Sequence, residues 1–230
     1  MTEQGPAAQT FFDAIRNGND LAVDTAVAVK SNLLRARDKD GISPVVAAAA
    51  AGHVRLAERL AARLFKSGDG IDFFDAAAVG NVGAMRNLLA QDLAAIDDRG
   101  SDGCTALHQA ARFGQLEAAR LLLGRGADPN AVAMNECRTT PLYVAIEARH
   151  RDTASLLLAL GASPNSIQGG GWSPLHAAAR NGDEAIVDAL LLRGADPTRV
   201  ADNGETAIDL AEKNSFAALA KVLRTAALRR

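Results

Sequence analysis

The sequence predicts an all-α repeat, an α-solenoid of helix-turn-helix units, and three observations carry that prediction. A tetrapeptide recurs: Thr105-Ala106-Leu107-His108, Thr140-Pro141-Leu142-Tyr143, Ser173-Pro174-Leu175-His176 and Thr206-Ala207-Ile208-Asp209 begin 35, 33 and 33 residues apart, and such a period marks one supersecondary unit repeated along the chain. An independent marker keeps the same register. Gly126-Ala127-Asp128-Pro129-Asn130, Gly161-Ala162-Ser163-Pro164-Asn165 and Gly194-Ala195-Asp196-Pro197-Thr198 each lie 21 residues after the start of their own tetrapeptide. Composition agrees: 48% of residues are hydrophobic but only 4% aromatic, so alanine and leucine must build the core, which suits helices packed on helices better than sheets.

Taken in order, the chain opens with a polar stretch, residues 1–8, expected to be flexible. Phe11-Phe12-Asp13-Ala14 with Gly18-Asn19 marks a first, degenerate unit, and Ser43-Pro44-Val45-Val46 with Gly52-His53 a second. Phe73-Phe74-Asp75-Ala76 with Gly80-Asn81 repeats the first pattern 62 residues on. Seven units result, near 9–37, 38–66, 67–98, 99–133, 134–166, 167–199 and 200–230, the first and last being caps. Within each, the local chemistry is that of two short helices. Ser43, Thr105, Thr140, Ser173 and Thr206 stand where a hydroxyl accepts an otherwise unpaired first-turn amide. Pro44, Pro141 and Pro174 follow at the first helical position, where a missing N–H costs nothing. Gly18, Gly52, Gly80, Gly114 and Gly182 stop that helix with a left-handed cap. The second helix carries Leu121-Leu122-Leu123, Leu156-Leu157-Leu158 or Leu190-Leu191-Leu192, runs too apolar for a lone surface helix and so expected to be sandwiched between neighbours. Asp/Gly-rich segments such as Ser101-Asp102-Gly103 and Asp202-Asn203-Gly204 then suit tight turns.

These tetrapeptides and their spacing resemble the ankyrin repeat family, which carries a T-P-L-H-x-A segment at a period of about 33 residues. The resemblance implies a row of β-hairpin fingers beside the helices, and a concave face made of fingers and first helices. It implies that His108 and His176 bond backbone and the neighbouring hydroxyl to tie units together. It also places the groove row in the two residues before each first-helix turn, Arg112 and Phe113, Glu147 and Ala148, Arg180 and Asn181, Lys213 and Asn214. Ile42, Cys104, Thr139, Trp172 and Glu205 are the matching finger positions. From these the expected contact residues are Arg112, Phe113, Glu147, Trp172, Arg180, Asn181, Glu205 and Lys213. The weight falls on the C-terminal half of the groove, because the N-terminal equivalents Ala50, Ala51, Ala78 and Val79 are small. Packing against the next finger is the alternative reading of Phe113 and Trp172.

Two departures from the pattern stand out. The interval from Gly52 to Gly80 is 28 residues against 34 on either side, and Lys66-Ser67-Gly68-Asp69-Gly70 is all that links the units, so one finger is expected to be missing and the seam weak. Arg138 and Arg149 stand where the family has glycines, which leaves the local geometry of that unit open.

Residues that could be mistaken for chemistry have simpler roles. His53 and His150 open second helices, where capping or solvation is expected. Gly169-Gly170-Gly171 is followed by Trp172 rather than by lysine and a helix, so it is a turn and not a phosphate loop. Asp97-Asp98 reads as a solvated connection, and Cys104 and Cys137 as free thiols, too few for a disulfide framework or a four-ligand zinc site. The net charge of −2 supplies no field to draw in nucleic acid. No run approaches the roughly 20 apolar residues that span a bilayer, and the start lacks a signal peptide. The expectation is therefore a cytoplasmic, non-catalytic protein-binding module, monomeric alone, with no cofactor, metal, nucleic acid or membrane partner. The alternative is an inhibitor or regulatory subunit of a separate enzyme or toxin.

Overall fold

Hydroxyl caps set the helix starts. In the computed structural model, which describes residues 6–66 and 70–229, Ser43 Oγ accepts the N–H of Val46 at 3.0 Å and Thr206 Oγ1 that of Asp209 at 3.2 Å, each satisfying a first-turn donor. Asp72 does the same for Asp75 at 2.7 Å. The described residues hold fourteen α-helices in seven successive pairs. They are α1 (Pro6–Arg16) and α2 (Asp20–Val29), α3 (Pro44–Ala50) and α4 (Val54–Lys66), α5 (Phe73–Ala78) and α6 (Val82–Gln91), α7 (Ala106–Arg112) and α8 (Leu116–Gly124), α9 (Pro141–Glu147) and α10 (Arg151–Ala159), α11 (Pro174–Asn181) and α12 (Glu184–Leu192), α13 (Ala207–Lys213) and α14 (Ala217–Leu228). Helix α1 takes in Pro6, Ala7 and Ala8, which the sequence reading put in the flexible start; residues 1–5 lie outside the described residues.

The first helix of each pair packs on the first helices of its neighbours, from α1 through α13, while α6, α8, α10 and α12 form a second row behind them. One apolar core runs the length of the stack, and Leu107, Leu122, Leu142, Leu157, Leu175 and Leu190 are fully buried in it. The leucine runs are not buried throughout. Leu192 is 86% exposed and Leu121, Leu123, Leu156 and Leu191 only partly covered, because three consecutive residues span most of a helical turn and cannot all face inward.

Fingers project between the pairs as tight turns rather than extended strands. Each is closed by one or two backbone bonds, such as Gly100 N–H to Cys104 O at 2.8 Å, Ala133 N–H to Thr139 O at 2.8 Å, Gln168 N–H to Trp172 O at 2.8 Å and Ala201 N–H to Glu205 O at 2.9 Å. Neighbouring fingers are joined in turn, Met134 N–H to Gly103 O, Gly169 N–H to Cys137 O and Asp202 N–H to Gly170 O. Arg149 holds the left-handed conformation of the glycine it replaces, at φ 65°, and Arg138 does so at φ 47°, so the unit keeps its geometry despite the bulkier residues.

Residues 67–72 alone separate α4 from α5, and of the suspect connection, residues 67–69 lie outside the described residues. Gly70 to Asp72 lead directly into α5. The finger of residues 38–42 then reaches past to that of residues 100–104, where Ser101 Oγ donates to Gly41 O.

Candidate interaction surface on the concave face

The stack is tied together by polar side chains that repeat with the units. His108 Nε2 donates to Thr139 O of the next unit at 2.9 Å, while its Nδ1 accepts from Thr105 Oγ1 at 2.8 Å. His176 repeats this with Glu205 O at 3.2 Å and Ser173 Oγ at 2.7 Å. Burial drives both imidazoles toward the neutral form, His108 down to about 4. With both ring nitrogens engaged, neither has a lone pair to give a metal. Among the described residues no three His, Cys, Asp or Glu side chains gather in a way that would hold a metal ion.

His53 and His150 do something that local sequence does not announce. Instead of capping their own helices, their Nε2 atoms bond Arg16 O at 3.1 Å and Arg112 O at 3.0 Å, in the preceding unit. Gln115 takes the same position and donates to Ala78 O at 3.0 Å. The turn glycines make room for this contact: a Cβ on Gly114 would lie 2.4 Å from the His150 ring. The Asp-Pro-Asn marker also has a cross-unit role, Asn130 accepting from Ser163 N–H at 2.7 Å and donating to Gly161 O at 3.0 Å, with Asn165 repeating it one unit on. Asp97 is exposed and also accepts from Asp128 N–H at 3.1 Å. Cys104 is buried and Cys137 exposed, and both are free thiols.

The expected contact residues lie along the first helices and fingers. Glu147 and Arg180 meet across two units at 2.8 Å, and Glu205 meets Lys213 at 3.0 Å. Four of the eight expected contact residues are thus already paired with one another. Asn181 Nδ2 donates to Ile146 O at 2.6 Å, and Arg112 lies 3.8 Å from Cys104 Sγ. Trp172 is half-buried and sits edge-on to His176, with 5.5 Å between ring centroids, while its indole edge lies beside the turn at Gly170. Phe113 belongs to a different place: it lines a trough of about 390 Å³ with Ala49, Ala50, Ala78 and Val79. The small N-terminal residues make the hollow and Phe113 forms its wall, a juxtaposition that sequence reading, weighing positions one by one, did not join up. Of the finger positions, Cys104 and Thr139 are buried and point into the stack.

No helix among the described residues is long and apolar enough to cross a membrane. The chain matches the ankyrin repeats family in three overlapping copies, over residues 11–133, 73–168 and 130–201. It is 30% identical over 146 residues to a transient receptor potential cation channel subfamily A member 1 homolog of Caenorhabditis elegans, which covers 64% of this chain and 12% of the channel. It is 40% identical over 82 residues to the E3 ubiquitin-protein ligase XB3 of Oryza sativa subsp. japonica, 35% of this chain and 18% of the ligase. It is 34% identical over 164 residues to ankyrin repeat and SOCS box protein 3 of Bos taurus, 66% of this chain and 30% of that protein. The chain therefore spans less than a third of each of these relatives. With matches running from residue 11 to residue 201 and the helix pairs, fingers and histidine ties of the repeat in place, the chain belongs to the ankyrin repeat family, whose repeats in general mediate contacts between proteins.

Proposed function

We propose that this chain is a non-catalytic interaction module that holds a protein partner along its fingers and first helices. Arg112, Phe113, Glu147, Trp172, Arg180, Asn181, Glu205 and Lys213 form the contact row. The observation that carries this reading is the apolar trough of about 390 Å³ walled by Phe113 over small alanines, a concave site for a partner side chain on a face whose other polar groups are organised in pairs. Aromatic and arginine side chains at such a centre supply most interface energy, and ringed charges tune orientation and rate. Trp172, half-buried against His176, still offers one face. The Glu147–Arg180 and Glu205–Lys213 pairs act at the rim. The units near 9–37 through 200–230 act as one solenoid, monomeric when alone and cytoplasmic.

A second reading makes the chain a regulatory subunit of a separate enzyme. It draws on relatives whose names carry a SOCS box and an E3 ubiquitin-protein ligase.

Capture from the native cell with the wild-type chain and with Phe113→Ala and Trp172→Ala, each checked for an unchanged melting temperature, tests the first reading. A specific protein held by the wild type and weakened by about 2 kcal/mol or more in either variant supports it. Partners held equally by all three chains would place the contact elsewhere. If the captured protein is an enzyme whose turnover changes on adding the chain, the second reading takes over.

A further inference from the structure

Cations on the first helices are compensated one by one, with a single exception among the described residues. Arg16 on α1 pairs with Asp38 at 2.5 Å, Arg180 on α11 with Glu147 at 2.8 Å and Lys213 on α13 with Glu205 at 3.0 Å. Arg112 on α7 is the exception. It enters no ion pair among the described residues, and the polar contact its guanidinium makes is to the Cys104 thiol, Nη2 lying 3.8 Å from Sγ. A thiol sulfur is a weak acceptor, so a permanently charged group built to grip a carboxylate has none. The residue is half-buried, yet Nε and Nη1, which bond to nothing among the described residues, keep access to solvent.

The hollow lies beside it. The trough of about 390 Å³ exists because two successive first helices end in small residues, Ala49 and Ala50 on α3 and Ala78 with Val79 at the end of α5, so nothing fills the space under Phe113. Ala50 and Val54, at its edge, are exposed. The polar members of the lining are Arg112, Gln115 and His150, and no carboxylate is among them. Gln115 Nε2 is spent on Ala78 O and His150 Nε2 on Arg112 O, which leaves the Arg112 side chain as the group that selects a partner by charge. An apolar hollow next to an uncompensated guanidinium is complementary to a large apolar side chain with a carboxylate close by in sequence. Burial draws in the first, and a charge-assisted bond holds the second. Arg112 reaches back along α7 toward the finger at Cys104, as long helical side chains do, so the carboxylate belongs on the finger side of the apolar anchor.

We propose that the trough and Arg112 together read an acidic, apolar segment of the protein partner, with one large apolar side chain seated under Phe113 and a neighbouring Asp or Glu bonded to Arg112. This rests on the concave-face reading and names the chemistry of its partner. The full chain is used to select from a display library of random short linear peptides, and the strongest peptide is synthesised in two forms, as selected and with its acid replaced by the amide. The selected peptides are expected to share a large apolar residue with Asp or Glu a few positions away. The amide form should bind the wild type at least tenfold more weakly, and Arg112→Gln, at unchanged melting temperature, should bind both forms alike. The His150 bond is to the Arg112 backbone, so this replacement leaves the tie between units in place, and the amide peptide makes the same test on an unaltered protein. Selected peptides without an acid, an amide form that binds as well as the acid, or an Arg112→Gln chain that keeps the tenfold preference would overturn the inference, as would a selection that enriches nothing. Where such binding still falls in Phe113→Ala, the concave-face reading stands without it. Peptides indifferent to both Phe113→Ala and Arg112→Gln would overturn both.

Discussion

His108 and Asp75 both stand at the third position after their helix caps, Thr105 and Asp72, and burial acts on them in opposite directions. The imidazole is held neutral, lowered to about 4, while the Asp75 carboxyl is raised to about 7 by burial and then by the charge of Asp72. For His108 the unfolded chain binds the proton more tightly, near 6.5, so its contribution is lost as pH falls from about 6.5 toward 4; His176 adds to it in the same direction. For Asp75 the folded chain binds the proton more tightly, so its contribution is full below about 3.8 and lost as pH rises toward 7. The two oppose each other between about pH 4 and 6.5. Urea midpoints of the wild type should therefore vary little across that window, whereas Asp75→Asn should gain stability steadily with rising pH; parallel profiles for the two chains would show that Asp75 does not titrate between folded and unfolded states. His108→Ala should destabilise by about 1–3 kcal/mol, since the Thr139 carbonyl loses its donor and Thr105 its acceptor. Denaturant unfolding measures this directly. The role of His108 and His176 was legible from the tetrapeptide they close. That of His53, His150, Asn130 and Asn165 was not, because each acts on a residue 29–38 positions away, and only stacking brings those together.

At the scale of the element, caps and stops decide where helices begin and end. Ser215 replaces the turn glycine of the last unit and sits at φ 66°, a conformation that costs an L-residue roughly 1–2 kcal/mol. Its side chain is exposed. Ser215→Gly should raise stability by about 1 kcal/mol, seen as a higher melting temperature, and a neutral or destabilising result would show that the strain is relieved locally. The leucine runs show how far pattern reading goes. Leu122 is fully buried, and Leu122→Ala should cost about 2–5 kcal/mol, whereas Leu192→Ala, at an exposed site on the same kind of run, should stay within about 0.5 kcal/mol. Comparing the two by urea unfolding separates core from surface within one motif.

Across the whole molecule, stability in a solenoid is carried by contacts between adjacent units, so a shortened unit would be expected to open a weak seam. The fold counters this with contacts across the gap. Ser101 reaches Gly41, Arg37 pairs with Asp72 at 2.7 Å, and Ser43 is bonded to Asp75. Hydrogen exchange should therefore show the amides of α3, α5 and α7 opening together, with Ser101→Ala lowering protection in α3 and α5 before α9. Early exchange of α1 to α4 as a separate block in the wild type would mean that those bridging contacts are too few to couple the two sides.

Period, caps, turn residues and apolar runs are local or repeating properties, and the sequence by itself determined from them an all-α repeat stack, with the family resemblance adding that its tetrapeptide histidines are structural. Each is settled within one unit and copied along the chain, so reading one unit reads most. The surface is different, because it is made by side chains from several units meeting. Glu147 finds Arg180, Phe113 finds the hollow over Ala50 and Ala78, and Gln109 keeps a buried carbonyl oxygen with no hydrogen-bond partner among the described residues. Only the tertiary structure decided those, since the spacing of a repeat says which residues lie in register but not which of them touch, which are buried, and which hydrogen-bonding groups stay unanswered.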